Sequence, residues 1–438
     1  MGSAQSRPKR ALSTFLPCAR ATCRIAHTSR IACGMTTVAV EDVGTDTVPW
    51  RALFLLGAAS FASSAALRFC DPLLPTLANA FDTTPGKAAI VITAYAVSYG
   101  FFQLLTGPLG DRYGKVRMVT LGAILSGLFT LACAFATGID QISVLRFLAG
   151  LTGAAIIPNC IAFIGDTVPF AQRQAVLARY MIFTSFGAIS GQAIGGVLAD
   201  ALGWQSVFIM AGAFLLLAGT VLAIQQRSSP VLSRRQPAPA GGVRGSLAQM
   251  LALRNIPYAR VVLMAVTIEA VLFYGTFTFL GAHLRQVYNI SYTAIGAMTA
   301  LSAAGAAAYS WSAPFLLGRF GERAVLGMAS VFLAASFALL ALTPPVWLVA
   351  VAIAIGGFGF VLLHNPLQTN ATQMTPGSRG AGIATFAFCF FAGQTAGVAL
   401  CSLIYDQVGA PPLFAGAALL LPVLVFWFRA GLARTRPV

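Results

Sequence analysis

Apolar residues occur along this chain in long blocks of about 20 residues, separated by short polar or Pro/Gly-containing breaks. A helix of that length, rising about 1.5 Å per residue, crosses a hydrocarbon core of about 30 Å. The pattern predicts twelve spanning helices, at residues 52–78, 88–107, 118–137, 141–164, 176–199, 204–225, 259–283, 293–317, 324–342, 346–368, 381–404 and 411–430. The alternation of a barrel strand is not seen in these blocks, so an all-α membrane protein is predicted.

Composition and charge agree with this pattern. Of the 438 residues, 58% are hydrophobic and 9% are charged, whereas about 25% are charged in a typical soluble domain. The net charge of +16 is compatible with nucleic-acid binding, but all except four of the 28 Lys and Arg residues fall on one side of the predicted membrane. Basic residues therefore set the topology, with both termini cytoplasmic, and nucleic acid is not an expected partner.

The longest break divides six helices from six. The predicted regions are a disordered cytoplasmic extension, a six-helix bundle, a cytoplasmic linker, a second six-helix bundle and a cytoplasmic tail, at residues 1–50, 51–225, 226–257, 258–430 and 431–438. Residues 1–34 are rich in Arg and allow three interpretations. They resemble a transit peptide, they begin with a short myristoylation pattern, or they are a leader or a start assigned upstream of Met35.

The two halves are related by an internal repeat. When the sequence of the second half is placed under that of the first half with a nearly constant offset in residue number, identical residues align. The aligned pairs include Arg112 with Arg319, Gly114 with Gly321, Asn159 with Asn365, Asp200 with Asp406 and Gly203 with Gly409. A nearly constant offset over several helices predicts two parallel six-helix repeats. Such repeats usually enclose a binding site near the middle of the membrane.

The connection after the second helix, residues 107–117, reads GPLGDRYGKVR. It is similar to the signature cytoplasmic loop of the major facilitator superfamily, and with the repeat this resemblance covers nearly the whole chain after residue 50. The resemblance implies a monomeric secondary transporter whose halves are latched at this loop by Asp111 and Arg112. From the residues alone, a basic turn that only sets the topology is the alternative. The candidate gating residues are Gly107, Gly110, Asp111, Arg112, Gly114, Lys115 and Arg117.

Two further features resemble the twelve-helix drug:proton antiporter branch of that superfamily. They are Arg146 within LRFLAG and the glycine row of helix five, Gly187, Gly191, Gly195 and Gly196. This resemblance implies proton-coupled efflux of small organic molecules. Gln192 stands where the branch usually has proline, so proton-coupled uptake of a sugar, organic acid or other nutrient is the alternative. Glycines every four residues also permit close helix packing.

Ionisable residues inside predicted helices are candidate sites because they are costly in lipid. Arg68 and Asp71 lie one turn apart in helix one, and Arg146 lies near the outer end of helix four. An Asp71–Arg68 or Asp71–Arg146 pair could open when Asp71 takes up a proton, and a permanent structural pair or an anchor at the outer interface is the alternative. Glu269 lies near the midplane of helix seven, where it could bind a proton or a cationic substrate, or serve only structure.

Polar residues expected around Glu269 complete the candidate cavity, namely Tyr95, Tyr99, Gln103, Gln192, Tyr274 and Gln394. His283 and His364 are predicted near the outer and inner helix ends, which makes neither the first choice for proton coupling. The sequence has no P-loop, metalloprotease or dinucleotide-binding motif. We therefore expect no enzyme activity, cofactor or metal, and a proton gradient as the energy source. A bacterial inner-membrane location is expected from composition, and a non-transporting sensor is the alternative of another class.

Overall fold

The computed structural model describes residues 48–233, 242–374 and 379–435 and consists there of helices joined by short turns, without a β-strand. The predictions for residues 1–34 lie outside these described residues. We name the outer and cytoplasmic faces of the molecule from the distribution of basic residues.

Spanning helices make up both halves of the described chain. In the first half they are α1 (Trp50–Arg68), α2 (Pro85–Tyr113), α3 (Lys115–Cys133), α4 (Ile139–Thr167), α5 (Phe170–Leu202) and α6 (Trp204–Ser228). In the second half they are α7 (Pro257–Tyr288), α8 (292–320), α9 (322–341), α10 (Val346–Ala371), α11 (Arg379–Val408) and α12 (Pro411–Thr435). Shorter helices are Leu74–Ala80, Pro230–Ser233 and Gly242–Ala252, and the last is followed by the 3-10 turn Leu253–Asn255.

The helical hydrogen bonding continues from α8 into α9, over the 50 residues Tyr292–Ala341. A straight helix of that length would measure about 75 Å, more than twice the hydrocarbon thickness. Gly321 interrupts it with φ 75° and ψ 164°, which no helix accommodates. The segment is therefore two spanning helices, and the twelve-helix prediction is confirmed.

The repeat is visible in backbone conformation as well as in sequence. The glycines with positive φ in the described chain are Gly114 (99°), Gly321 (75°), Gly203 (82°) and Gly409 (77°). They form two pairs, Gly114 with Gly321 and Gly203 with Gly409, as the predicted repeat requires. Because a Cβ disfavours such angles, glycine at these turns is explained by the backbone in both halves.

The most extensive contacts between the halves are made by two helix pairs, α5 with α8 and α2 with α11. In the first pair, Gly296 of α8 lies so close to α5 that an added Cβ would be 2.6 Å from the carbonyl oxygen of Gln192. In the second pair, the ring of Tyr99 on α2 contacts the ring of Phe391 on α11, with centroids 4.9 Å apart. The interface between the halves is thus closely packed at both seams.

In the glycine row of helix five, Gly187 and Gly191 pack against α1, Gly195 packs against Phe69 just after α1, and Gly196 packs against α8. A Cβ on Gly191 would lie 2.6 Å from the carbonyl oxygen of Ala65, and Gly187 meets the backbone of Phe61 in the same way. The repeat mates Gly393 and Gly397 pack equally closely on α7. This geometry explains the row by helix packing, which was one of the two interpretations of it.

Replacing Gly191 with Ala is expected to lower the thermal unfolding midpoint of the detergent-solubilised protein. Overpacking a closely packed contact typically lowers the free energy of unfolding by about 1–3 kcal/mol. Here the backbone of α1 would have to move to make room for the methyl group. Gly165→Ala is the matched control, because a Cβ there meets nothing within 4 Å. Equal midpoints for the two variants would show that the α1–α5 contact tolerates a methyl group.

Several boundaries differ from the prediction, and two of the differences concern the first helix and the linker. The first helix ends at Arg68 instead of residue 78, so Asp71 lies in the turn after α1. The prolines at 72 and 75 explain this end, because a proline ring blocks the preceding helical turn. The predicted linker 226–257 contains the helix Gly242–Ala252, which packs on α2 and α11.

Candidate functional site

Glu269 is a deeply buried carboxylate of α7, with 1% of its surface exposed. Its Oε2 lies 2.8 Å from Nδ1 of His364 on α10, within hydrogen-bond distance. Its other oxygen, Oε1, has no hydrogen-bond partner among the described residues. The His364 side chain is 19% exposed, so the pair joins a buried carboxylate to a ring that reaches accessible space.

The sequence analysis did not make His364 its first choice for proton coupling, because it was predicted near the inner helix end, and the structure places it beside Glu269. The helix α10 continues to Ala371, three residues beyond the predicted end, so His364 lies about 10 Å inside that end. The signal that pointed to Glu269, an ionisable residue within an apolar block, applied equally to His364.

Aromatic rings surround the histidine. The ring of Phe360 stacks on that of His364 with centroids 5.0 Å apart, while Phe386 and Phe390 of α11 approach to 5.4 and 5.1 Å. Phe360 in turn contacts Tyr274 of α7 at 5.4 Å. The imidazole therefore lies in a predominantly apolar, ring-lined environment in which electrostatic interactions are stronger than in water.

Arg68 connects this group to the first half. Its guanidinium carbon lies 4.2 Å from the centre of the Tyr274 ring, a cation–π contact between α1 and α7. Its Nη1 is 3.8 Å from Oδ2 of Asp71, so the predicted Asp71–Arg68 pair is present at long range. Neither distance is that of a close hydrogen bond, so within the described residues N–H groups of the guanidinium stay available for another acceptor.

We call the following residues the central cluster: Arg68, Asp71, Glu269, Tyr274, Phe360, His364, Phe386 and Phe390. It contains two potential cations, two carboxylates and four aromatic rings. The first half contributes Arg68 and Asp71, and the second half contributes the other members, including all the rings. Such a combination can bind a proton, an organic anion and an aromatic ring in one place.

Arg146 lies outside the central cluster and is completely buried. It donates to the carbonyl oxygens of Ala66 (3.0 Å) and Val91 (3.5 Å) and lies over the Tyr95 ring at 4.0 Å. No ion pair between Arg146 and Asp71 is found in the described part of the chain. Its contacts hold α4 against α1 and α2, which favours the structural interpretation of this residue.

The candidate cavity residues divide into two sets. Tyr95 stacks on Tyr99 at 5.8 Å, and Tyr99 reaches the central cluster through Phe391, whose ring is 5.3 Å from that of Phe390. Gln192 lies at the α5–α8 seam instead, without a contact to the central cluster among the described residues. The side-chain oxygens of Gln103, Gln192 and Gln394 have no hydrogen-bond partner there, and all three stay candidates for substrate contact.

The candidate gating loop lies at the cytoplasmic end of α2 and α3. Lys115 is 3.4 Å from Asp111 Oδ1 and also pairs with Asp166 near the end of α4. Gly110 faces the side chain of Asn159, and Arg112 lies over the ring of Tyr113. The ion pairs of Lys115 connect helices of the first half, and the latch between the halves stays a prediction.

The candidate gating loop has three other members. Gly107 lies near the end of α2, Gly114 lies in the turn, and Arg117 lies in the first turn of α3.

Comparison with known proteins gives relatives for both halves. The Major Facilitator Superfamily model matches residues 53–314 and 262–437. The uncharacterized MFS-type transporter YwfA of Bacillus subtilis (strain 168) is 27% identical over 286 residues, covering 63% of this chain and 66% of YwfA. The efflux pump radE of Floropilus chiversii is 28% identical over 191 residues, covering 42% and 35%. The 4-hydroxybenzoate transporter PcaK of Pseudomonas putida is 29% identical over 178 residues, covering 40% and 39%.

These alignments extend over about a third to two thirds of the relatives' own lengths. The crystal structure of nucleoside transporter NupG superposes with a TM-score of 0.69 at 14% identity, covering 86% of this chain and 98% of that one. This likeness shows the fold. With a family match that extends over both six-helix halves, the chain belongs to the Major Facilitator Superfamily of membrane transporters and is not an enzyme.

Proposed function

We propose that this transporter moves a small aromatic carboxylate across the membrane together with a proton, and that the central cluster binds both. The observation behind the proposal is the buried contact of Glu269 with His364, enclosed by aromatic rings. Ionisable side chains in such positions are costly and are typical of proton and substrate pathways. The distribution of basic residues supports a cell-membrane location with cytoplasmic termini, and composition supports a bacterial inner membrane.

The proton and the anion would bind cooperatively. With one proton shared between the Glu269 carboxyl and the His364 imidazole, the pair has no net charge. A second proton gives the pair a positive charge in a poorly solvated site, and a bound carboxylate offsets it. Two opposite unit charges about 4 Å apart attract by about 4 kcal/mol at an effective dielectric constant of about 20. Each ligand therefore raises the affinity for the other, which is the requirement for coupled transport.

The proposed substrate class follows from the chemistry of the cluster. Arg68 offers a planar guanidinium that suits a carboxylate, and Tyr274, Phe360 and Phe390 offer faces and edges for one aromatic ring. The name of the relative PcaK, a 4-hydroxybenzoate transporter, supports the same class. Because the proton and the anion are proposed to move together, and an inward proton gradient is the expected energy source, uptake, the alternative direction in the sequence analysis, is the direction that we favour.

A competition series tests the substrate class. Purified protein in proteoliposomes with an acidic exterior should take up radiolabelled 4-hydroxybenzoate above the level of protein-free liposomes, which report passive leakage. Unlabelled benzoate should compete, whereas cyclohexanecarboxylate, without the aromatic ring, and 4-hydroxybenzyl alcohol, without the carboxylate, should each compete at least about tenfold more weakly. Equal competition by the alcohol would contradict recognition of the carboxylate.

Export is the second candidate, and the name of the relative radE, an efflux pump, favours it. The same proteoliposomes distinguish the directions. If export is correct, 4-hydroxybenzoate or a drug loaded inside should leave faster when protons enter in exchange. Counter-movement of proton and substrate would contradict the proposed symport, because the electrostatic coupling argued above makes them bind together.

A further inference from the structure

Two aspartates at the outer face join the halves of the molecule. Asp200, near the end of α5, accepts hydrogen bonds from the backbone N–H groups of Tyr292 (3.0 Å) and Thr293 (2.5 Å) at the start of α8. Asp406, near the end of α11, accepts hydrogen bonds from the hydroxyl of Thr84 (2.7 Å) and the N–H of Gly86 (3.0 Å) at the start of α2. Each half thus contributes one carboxylate to a helix N-terminus of the other half.

The two contacts are copies of each other under the internal repeat. Asp200 and Asp406 are equivalent positions of the repeat, and so are Gly86 and Thr293, whose N–H groups donate to them. The residue before each helix has the same role as well. Thr84 accepts a hydrogen bond from the N–H of Lys87, and Ser291 accepts one from the N–H of Ala294. These equivalences make the arrangement a property of the repeat instead of an isolated surface contact.

The physical basis lies in the open hydrogen-bonding capacity of helix starts. The first four N–H groups of a helix have no partner within it, and the helix dipole favours an anion there. At α2 and α8, a local Thr or Ser hydroxyl accepts from one N–H group, and the aspartate of the opposite half accepts from others. Moving the halves apart at the outer face breaks the aspartate contacts and returns these N–H groups to water.

We propose that Asp200 and Asp406 form an outer latch that stabilises the closed outer face and releases at both seams in one step when the face opens. Because each contact crosses between the halves, a rigid-body movement that separates the halves along the whole outer face breaks both contacts. Both aspartates are exposed, so water can replace the broken hydrogen bonds and the latch can reverse during a transport cycle. The latch is independent of the substrate and proton proposed above, since it depends only on movement of the halves.

Amide hydrogen exchange of the full-length protein in detergent tests the latch without a transport assay. In Asp200→Ala, exchange should accelerate at the start of α8, where the acceptor is lost, and also at the start of α2, where Asp406 is still present. The expected acceleration is about two- to thirtyfold, the range found when a helix cap is removed. Asp406→Ala should show the same pattern in mirror image, and Asp200→Asn, which keeps an acceptor oxygen, should show it more weakly.

The matched control is Asp140→Ala. Asp140 is an exposed aspartate in the first turn of α4, also at the outer face, and no hydrogen bond or ion pair joins it to the second half within the described ranges. Its removal should leave both helix starts unchanged. Acceleration confined to the helix whose own aspartate was removed would overturn the latch in favour of two independent local caps, and no acceleration at either helix would overturn it outright. If an alanine variant does not fold, Asp200→Asn is judged by the same two-helix criterion.

Discussion

In proteoliposomes containing Glu269→Gln, the pH gradient is expected to accumulate no 4-hydroxybenzoate, while exchange of labelled for unlabelled substrate continues. Gln preserves the size and a hydrogen-bonding group beside His364 but removes one of the two proton-binding groups of the pair. Substrate binding therefore survives, and the two-proton state on which the coupling depends is lost. With one proton per substrate, a pH difference of one unit provides about 1.4 kcal/mol, which corresponds to about tenfold accumulation in the wild type. The variant should equilibrate at a ratio of about one.

The measurement is the steady-state ratio of internal to external label at a fixed pH difference, together with the initial rate of exchange at equal pH. Asp140→Asn is the control, because it makes the same carboxyl-to-amide change at an exposed outer position. It should accumulate substrate like the wild type. Tenfold accumulation by Glu269→Gln would exclude this carboxylate from the proton path, whereas loss of exchange as well would indicate that Glu269 binds substrate.

Arg68→Ala is expected to weaken both gradient-driven uptake and exchange, with the KM for 4-hydroxybenzoate rising about 10- to 100-fold. A hydrogen bond to a charged group contributes about 1.5–3 kcal/mol, and loss of the guanidinium removes that contribution at every stage of the cycle. The two assays distinguish this variant from Glu269→Gln, because Arg68→Ala is expected to weaken both uptake and exchange, whereas Glu269→Gln is expected to lose only gradient-driven accumulation. Initial rates of exchange over a range of substrate concentrations measure the KM directly.

Removing Arg68 also leaves Asp71 buried without its cation, which by itself destabilises a protein. The double variant Arg68→Ala/Asp71→Asn separates this effect from substrate binding, and it should show the same rise in KM. Arg260→Ala, a change at the exposed cytoplasmic end of α7, is the control for loss of one arginine. An unchanged KM in the double variant would show that the substrate carboxylate is recognised elsewhere.

The differences between prediction and structure at the candidate site all concern which side chains contact each other. Counting residues along a helix estimated the depth of Glu269 and His364 but did not reveal that they face each other. Likewise, Asp71 was assigned two possible partners, and the structure places it at 3.8 Å from Arg68, while the buried Arg146 donates to backbone carbonyls. Depth in the membrane depends on residue number, whereas the identity of a neighbour depends on the rotation and packing of separate helices.

The aspartates of the outer face show the same limit. Their equivalence was readable from the sequence as part of the internal repeat. Their contacts were not, because each aspartate reaches a helix of the other half, far away along the chain.

The sequence by itself determined the membrane class, the twelve helices and the internal repeat of the two halves, and it predicts the orientation. These properties follow from block length, charge placement and internal offset, all of which are one-dimensional. Only the tertiary structure decided that His364 faces Glu269, that Arg68 lies over Tyr274 and that each half caps a helix of the other. Those contacts depend on how close-packed helices rotate and approach at glycine-lined seams, and residue spacing within one helix does not contain that information.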